Sequence, residues 1–377
     1  MMSAFSRNSR SALSNWWWTV DKPLLGMVTG LMFLGIFLTF SASPSVATRV
    51  GYSSYHYIYR QCIFAPIAFF LMIFLSMQNL KFIRRFASLG FILAIILTIM
   101  TLFWGEETKG ATRWIRIFGF SLQPSEFIKP TFAIVAAWLF DSQKQYPEIP
   151  GTWICVGLFA LTAGLLIKQP DIGMTFVVSA IWFFQLFLNG LPIIWVIGVC
   201  LLGAGAAVIL YFTYAHFYTR IQQFITSENE LSYQVQKAMD AFQSGHFLGR
   251  GPGEGIAKLN IPDAHTDFIF AVAAEEFGFI LCALIIGVYA AIVIRAMLIS
   301  MKDRNYFIML ASAGLAASFG LQGIINMASS LHLMPTKGMT LPFVSYGGSS
   351  ILASAMGIGM LLAITRKNAH SEDKDDI

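Results

Sequence analysis

The chain has 377 residues, 56% of them hydrophobic and 12% charged, and it carries a net charge of +5. That charged share is about half of what a soluble domain shows, so a water-exposed globule is excluded and most of the surface must meet lipid. Basic residues gather at the ends of apolar stretches, a pattern that reports membrane orientation and anionic lipid, not a nucleic-acid partner. Cys62, Cys155, Cys200 and Cys282 fall in separate apolar stretches with no CxxC or Cys/His spacing, so neither a metal site nor a disulfide framework is read.

The polar lead from Met1 to Lys22 is long, and the apolar run Leu24 to Phe40 that follows is nearly of spanning length. Despite the small residues Ser41-Ala42-Ser43, this reads as a cytoplasmic tail and a first span, not a cleaved signal peptide. Trp16-Trp17-Trp18 suits an interfacial anchor before that span. A helix needs about 20 apolar residues to cross the hydrocarbon core. On that ruler spans are expected near 23–43, 58–77, 84–104, 125–141, 152–168, 172–188, 191–214, 265–294, 306–330 and 346–366. The expected fold is therefore an all-α, polytopic membrane protein of about ten helices, one domain over 23–366 with tails at 1–22 and 367–377.

An even count puts both termini on one side. The short basic loops around 78–85 and 295–305 place that side in the cytoplasm. Outside then lie 44–57, 105–124, a large loop at 215–264, and 331–345. The large loop combines an amphipathic stretch from Tyr233 to Phe242 with the glycine-rich turn Gly249 to Gly255.

Ionisable residues at the ends of membrane spans are rare and commonly functional. On the outer side they are Arg60, Arg113, Glu126, Lys129, Lys168, Asp171, Asp267 and Lys337. Glu126 and Lys129 stand one helical turn apart behind Pro124, as an intrahelical ion pair or as a phosphate and sugar surface. Lys168 and Asp171 can neutralise each other across a tight turn, and Arg60 can snorkel to the interface. Asp263 or Thr266 is the expected cap of the eighth span, which puts Asp267 in or beside its first turn. There Asp267 either meets the helix dipole or serves as an outer-face base. Glu275 and Glu276, two turns deeper, need partners, with interhelical hydrogen bonding the default. In the last outer loop, Gly347 and Gly348 permit close approach of backbone or ligand, while Ser350/Ser354, Ala353/Gly357 and Ala355/Gly359 have helix-packing spacing.

Four segments carry a resemblance: Arg113 to Pro130, Gln169-Pro170-Asp171-Ile172-Gly173, Ala264-His265-Thr266-Asp267-Phe268-Ile269-Phe270 through Glu275-Glu276, and Leu341-Pro342-Phe343-Val344-Ser345-Tyr346-Gly347-Gly348-Ser349-Ser350. Together they resemble the SEDS family (shape, elongation, division and sporulation) of peptidoglycan glycosyltransferases, in order and over most of the chain. The resemblance implies a ten-span fold that polymerises lipid II at the outer face of the cytoplasmic membrane, with Asp267 matching the family's essential aspartate. Pro335 to Thr340, with Lys337, is closer to the cell-division member than to the rod-elongation member. That implies a septal location, a class B penicillin-binding transpeptidase as partner, and contact with other membrane proteins of the division machinery.

The residues suit this chemistry on their own terms. An outer-face carboxylate, Asp267, can take the proton of a sugar hydroxyl. The cations Arg60, Arg113, Lys129 and Lys337 can stabilise a departing pyrophosphate. Glu126, His265, Thr266, Ser345, Gly347 and Gly348 complete the candidate substrate contacts. The sole Asp-x-Asp, Asp373 to Asp375, sits in the charged tail, so no metal-dependent sugar-nucleotide site is read. No cofactor is assigned, and divalent-cation dependence stays open. Two rival readings remain: a lipid II flippase, and a non-catalytic division scaffold that activates the transpeptidase.

Overall fold

The computed structural model describes residues 11–366 apart from 109–110, 118, 214–217, 219–221, 223–232 and 336–337. Ahead of the first span, Ser11 caps a short helix, α1 (Ala12–Thr19). The segment is docked, not a free tail: Trp16 is buried and its indole donates to Ser76 Oγ at 2.9 Å. Trp17 and Trp18 flank the Lys22 ammonium, with ring centroids 4.9 and 4.5 Å away.

Asp21 then caps α2 (Lys22–Arg49), accepting from Leu24 N at 2.9 Å. Helices α3 (His56–Ser76) and α4 (Leu80–Trp104) follow, the latter capped by Asn79. After α4 the chain forms a small antiparallel sheet, β1 (Glu106–Thr108), β2 (Ala111–Ile117) and β3 (Phe120–Leu122), in the order β1-β2-β3. The all-α expectation holds for the membrane domain but missed this outer hairpin. The β-branched and aromatic run Thr112 to Ile117 favours a pleated ladder once the chain leaves the bilayer.

The bundle continues with α5 (Ser125–Gln145), α6 (Gly151–Lys168), α7 (Ile172–Leu188) and α8 (Ile193–Thr213). The amphipathic stretch of the large loop folds as α9 (Tyr233–Gly245), burying Val235, Ala238 and Ala241 at helical spacing. A 3-10 turn (Ala257–Asn260) precedes α10 (Ile269–Ser300), α11 (Tyr306–Ser330) and α12 (Gly348–Ile364). Among the described residues, ten helices thus lie where ten spans are expected. Among the described residues, α2, α3, α4, α6, α10 and α11 are long and apolar enough by themselves to cross a membrane.

Helices α5 and α11 form the centre. The apolar window of α11 is 78% buried, against 22% for α6, whose outward side chains face lipid. Helix α5 carries charges that lipid would reject, and the surrounding α4, α6, α7, α11 and α12 cover it. Apart from the buried Lys258–Glu276 pair, these charges sort to the two ends of the bundle. Arg84 meets Asp141 at 3.8 Å and Arg295 meets Asp21 at 2.7 Å at the predicted cytoplasmic end. Arg60, Arg113 and Asp267 lie at the other.

One expectation needs correcting. The 215–264 segment is not simply a water-exposed loop. Its second half inserts against a break in α10 at Gly278, whose φ of 72° and ψ of −168° interrupt the helix. Only glycine adopts that conformation cheaply. The break strands backbone groups, which in a bilayer must find internal partners. Residues 246–251 supply them: Arg250 N donates to Glu275 O at 2.9 Å, Gly251 N to Glu276 O at 3.0 Å, and Phe279 N to His246 O at 2.9 Å. Gly249, at φ 79°, lies so close to the Glu276 backbone that a β-carbon has no room.

Candidate functional site

At the outer end of the bundle, residues 261–268 form a tight turn that leads into α10. Asp263 takes a left-handed φ of 55°, and Asp267 N donates back to Asp263 O at 3.1 Å. Neither Asp263 nor Thr266 caps the helix as expected. The Thr266 hydroxyl instead donates to Asp263 O at 3.1 Å, and the capping position is Phe268, which makes no side-chain cap bond. Asp267 therefore stands just before the helix, half-buried, outside its first turn.

Polar side chains of α11 hold this turn in place. Asn326 Nδ2 donates to Asp267 O at 3.0 Å and to Met339 O at 2.6 Å, and Ser330 Oγ donates to Asp267 O at 3.2 Å. The last outer loop closes over the other side. Tyr346 N donates to His265 O at 2.8 Å, and the Ser345 hydroxyl donates to Thr266 O while accepting from Leu341 N at 2.8 Å. A β-carbon on Gly338 would come within 3.6 Å of Asp267 Oδ2, so the start of this loop passes beside the carboxylate. Lys337, one residue earlier, lies outside the described residues.

The remaining predicted residues divide. Arg60 lies in hydrogen-bonding reach of the Tyr346 phenol and donates to Gly119 O at 3.3 Å, which joins it to the Asp267 segment through Tyr346. Burial raises the Tyr346 phenol above its ordinary pKa despite that guanidinium. His265 is buried against Tyr57, the ring centroids 4.2 Å apart. Burial lowers its pKa to about 4, so the imidazole is neutral at pH 7 and offers stacking or a hydrogen bond, not charge.

Glu126 and Lys129 form the intrahelical ion pair at 2.7 Å, both buried. Lys129 also donates to Gln322 Oε1 at 2.5 Å, and Gln322 Nε2 reaches Thr340 O at 3.1 Å. Glu126, Lys129 and Gln322 line a cavity among α5, α11 and α12, together with Pro130, Leu315, Phe319 and Gly357.

Arg113 is occupied differently from the expectation of a phosphate contact. Its guanidinium meets Asp171 at 3.6 Å and donates to the carbonyls of Gln169 and Pro170. The β2 strand carries Arg113 over the turn between α6 and α7, while Lys168 is exposed; the expected Lys168–Asp171 neutralisation is replaced by Arg113–Asp171. Asp171 also caps α7, accepting from Met174 N at 3.2 Å. Gly347 and Gly348 lie close against neighbouring side chains. A β-carbon at Gly348 would press on the Phe64 ring at 2.9 Å, and one at Gly347 would touch Thr340.

Sequence reasoning missed Gln322, Asn326 and Ser330. Their signal was present: three polar residues at four-residue spacing on one face of an apolar helix. Glu275 and Glu276 find partners, though mostly not across helices. Glu275 accepts from the backbone N–H groups of Ile256, Ala257 and Lys258 at 2.6, 2.7 and 2.8 Å. Glu276 pairs with Lys258, which also donates to Ser41 Oγ at 2.8 Å.

A lipid-embedded helical bundle with a half-buried carboxylate in a braced turn at its outer end defines a polytopic membrane protein with one outer-face candidate site. The sequence profile of the cell cycle protein family FtsW/RodA/SpoVE matches residues 22–370, and the chain belongs to that family. It is 42% identical over 368 residues to a probable peptidoglycan glycosyltransferase FtsW of Caulobacter vibrioides (strain NA1000 / CB15N), covering 97% of this chain and 94% of that protein. The FtsW of Trichlorobacter lovleyi, described in the same words, is 35% identical, with 92% and 93% covered. Among solved structures, a chain from work on the structural coordination of polymerization and crosslinking by a peptidoglycan synthase complex superposes with a TM-score of 0.76 at 24% identity, covering 92% and 97%. The rod shape determining protein RodA of Thermus thermophilus gives 0.65 at 24% identity, covering 93% and 97%. These two likenesses speak to the fold.

Proposed function

We propose that this protein is a peptidoglycan glycosyltransferase that polymerises lipid II into β-1,4 glycan at the outer face of the cytoplasmic membrane during septal wall synthesis. The observation that carries the reading is the braced Asp267 turn, joined to the Ser345–Tyr346 loop, whose Tyr346 phenol Arg60 reaches. Kinship to FtsW proteins named as probable glycosyltransferases supports the activity and the division role.

In this reading Asp267 accepts the proton of the acceptor sugar's 4-hydroxyl as the new glycosidic bond forms. The electron pair of the breaking anomeric C–O bond leaves with the pyrophosphate of the growing strand. Arg60, Lys129 and Lys337 are the cations assigned to that leaving group. Lys129 reaches this role only if substrate competes with Glu126 for it, whereas Arg113 is assigned to fixing the 169–171 turn. Deeper in the bundle Glu275 accepts from the backbone of 256–258 and Glu276 pairs with Lys258, so these charges have folding partners and do not favour a flippase. A class B transpeptidase that crosslinks the product is the proposed partner, in keeping with the synthase complex that the fold resembles.

The test is a polymerisation assay of the purified protein with lipid II, alone and with its transpeptidase. Glycan polymer is expected in at least the second case, and its absence from both would overturn the reading. Orientation has its own test. A single cysteine at Gln243, an exposed position of α9, is placed in a cysteine-free background. It should react with a membrane-impermeant thiol reagent in intact spheroplasts; labelling only after lysis would reverse the bundle and remove the outer-face site.

A further inference from the structure

A line of rings leads away from the Asp267 turn. His265, two residues upstream, stacks on Tyr57 at 4.2 Å with 29° between the rings, and Tyr346 leans on both at 5.3 and 5.1 Å. Tyr57 contacts the edges of His56 at 5.2 Å and Tyr52 at 6.3 Å. Tyr52 lies flat on His56, 4.3 Å apart and 7° from parallel, and is 50% exposed. The series therefore runs without interruption from a buried ring two residues from the candidate base to an exposed ring at the outer surface.

An ordinary interfacial belt of aromatics does not account for it. Belt residues expose their rings to headgroups, as Tyr59 does at 66% exposure, edge-on to Tyr55 at 6.5 Å. In the series each ring is instead held by the next, which fixes its plane and removes the entropy cost of ordering it on binding. His265 adds a second feature. Its Nδ1 is buried and has no hydrogen-bond partner among the described residues, an expensive state for a polar atom unless something else supplies the bond. Its neutral ring suits an uncharged donor, such as a sugar hydroxyl or acetamide.

Fixed aromatic faces beside a neutral hydrogen-bonding group are the surface that a pyranose recognises. The C–H groups of one sugar face pack on the π-cloud, while the hydroxyls around the ring edge need polar partners. Phosphate is the poorer occupant, because none of the five rings is a cation at neutral pH.

We propose that Tyr52, His56, Tyr57, His265 and Tyr346 form a saccharide-binding track that holds the glycan next to Asp267 between additions. The assignment rests on the glycosyltransferase reading and adds a place and a ligand class to it. The track explains how a strand would stay attached through repeated cycles: an exposed entry at Tyr52 extends contact beyond the reacting residue.

Two measurements test it. The first is binding of a soluble β-1,4-linked N-acetylglucosamine tetramer to the detergent-purified protein, followed by saturation-transfer NMR. The wild type should give ring-dependent signals, Tyr52→Ala should weaken binding at least about fivefold, and Tyr52→Phe, which keeps the ring, should restore it. The second is the length of glycan made from lipid II, which should shorten several-fold in Tyr52→Ala and His56→Ala and recover in Tyr52→Phe. The Tyr52→Ala variant should keep the wild-type melting temperature within a few degrees, since Tyr52 is half exposed. Wild-type strand length and tetramer affinity in Tyr52→Ala would overturn the track while leaving the polymerase reading intact. A wild-type protein that makes no glycan but binds the tetramer through these rings would overturn the polymerase reading and leave the track.

Discussion

Asp267→Asn is expected to lower lipid II polymerisation by about 10²- to 10⁴-fold, the contribution typical of a positioned general base. Asparagine matches aspartate in size and hydrogen-bonding reach but cannot take the proton. The turn itself should survive, because its brace engages the Asp267 carbonyl through Asn326 and Ser330, not the side chain. A purely electrostatic role at the start of α10 would give a much smaller effect. Such an interaction is worth about 0.3–1 kcal/mol, less than tenfold in any rate, and Asp267 lies outside the first turn of that helix. Asp267→Glu should also be impaired, since one added methylene displaces the carboxylate by about 1 Å. The check is a rate comparison on purified variants matched for membrane level and transpeptidase binding. A near wild-type rate in Asp267→Asn would remove Asp267 from the chemistry.

The parts of this molecule that could be read from sequence are those fixed by neighbours in the chain. Helix α7 runs over the residues expected of it because Asp171 caps it locally and a run of apolar residues follows. Helix α11 likewise starts where Asn305 can cap it. The Asp267 segment was legible because a carboxylate at the outer end of an apolar run is costly without a purpose. What failed to show was non-local. Arg113 and Asp171 are far apart in sequence, and nothing near either residue announces the pair. Gly278 sits in a run that reads as an uninterrupted span, since glycine is common in membrane helices. Its break is stable only because the 246–251 backbone, some thirty residues earlier, fills the vacated hydrogen bonds. The polar face of α11 was readable in principle, but a stripe of Gln, Asn and Ser signals burial against something polar without naming it.

Lys258→Met is expected to cause the largest loss of stability. Lys258 is 4% exposed and Glu276 1%, and the ammonium ties Glu276 to Ser41 Oγ and Gly253 O. Removing it leaves a buried carboxylate uncompensated, a change that typically costs about 3–5 kcal/mol. The inserted loop should loosen first, because Lys258 joins it to α2 and α10 at once. Glu275 alone would still grip the loop through three backbone N–H groups, so the rest of the bundle should remain helical. In detergent, Lys258→Met should melt well below the wild type and become sensitive to protease between α9 and α10. Adding Glu276→Gln removes the stranded charge and should recover more than half of the loss, whereas Glu276→Gln alone should be milder than Lys258→Met. Equal damage from Lys258→Met with and without Glu276→Gln would mean that Lys258 acts through its carbon chain and not its charge. The buried ion pair would then not be what holds the broken helix to its loop.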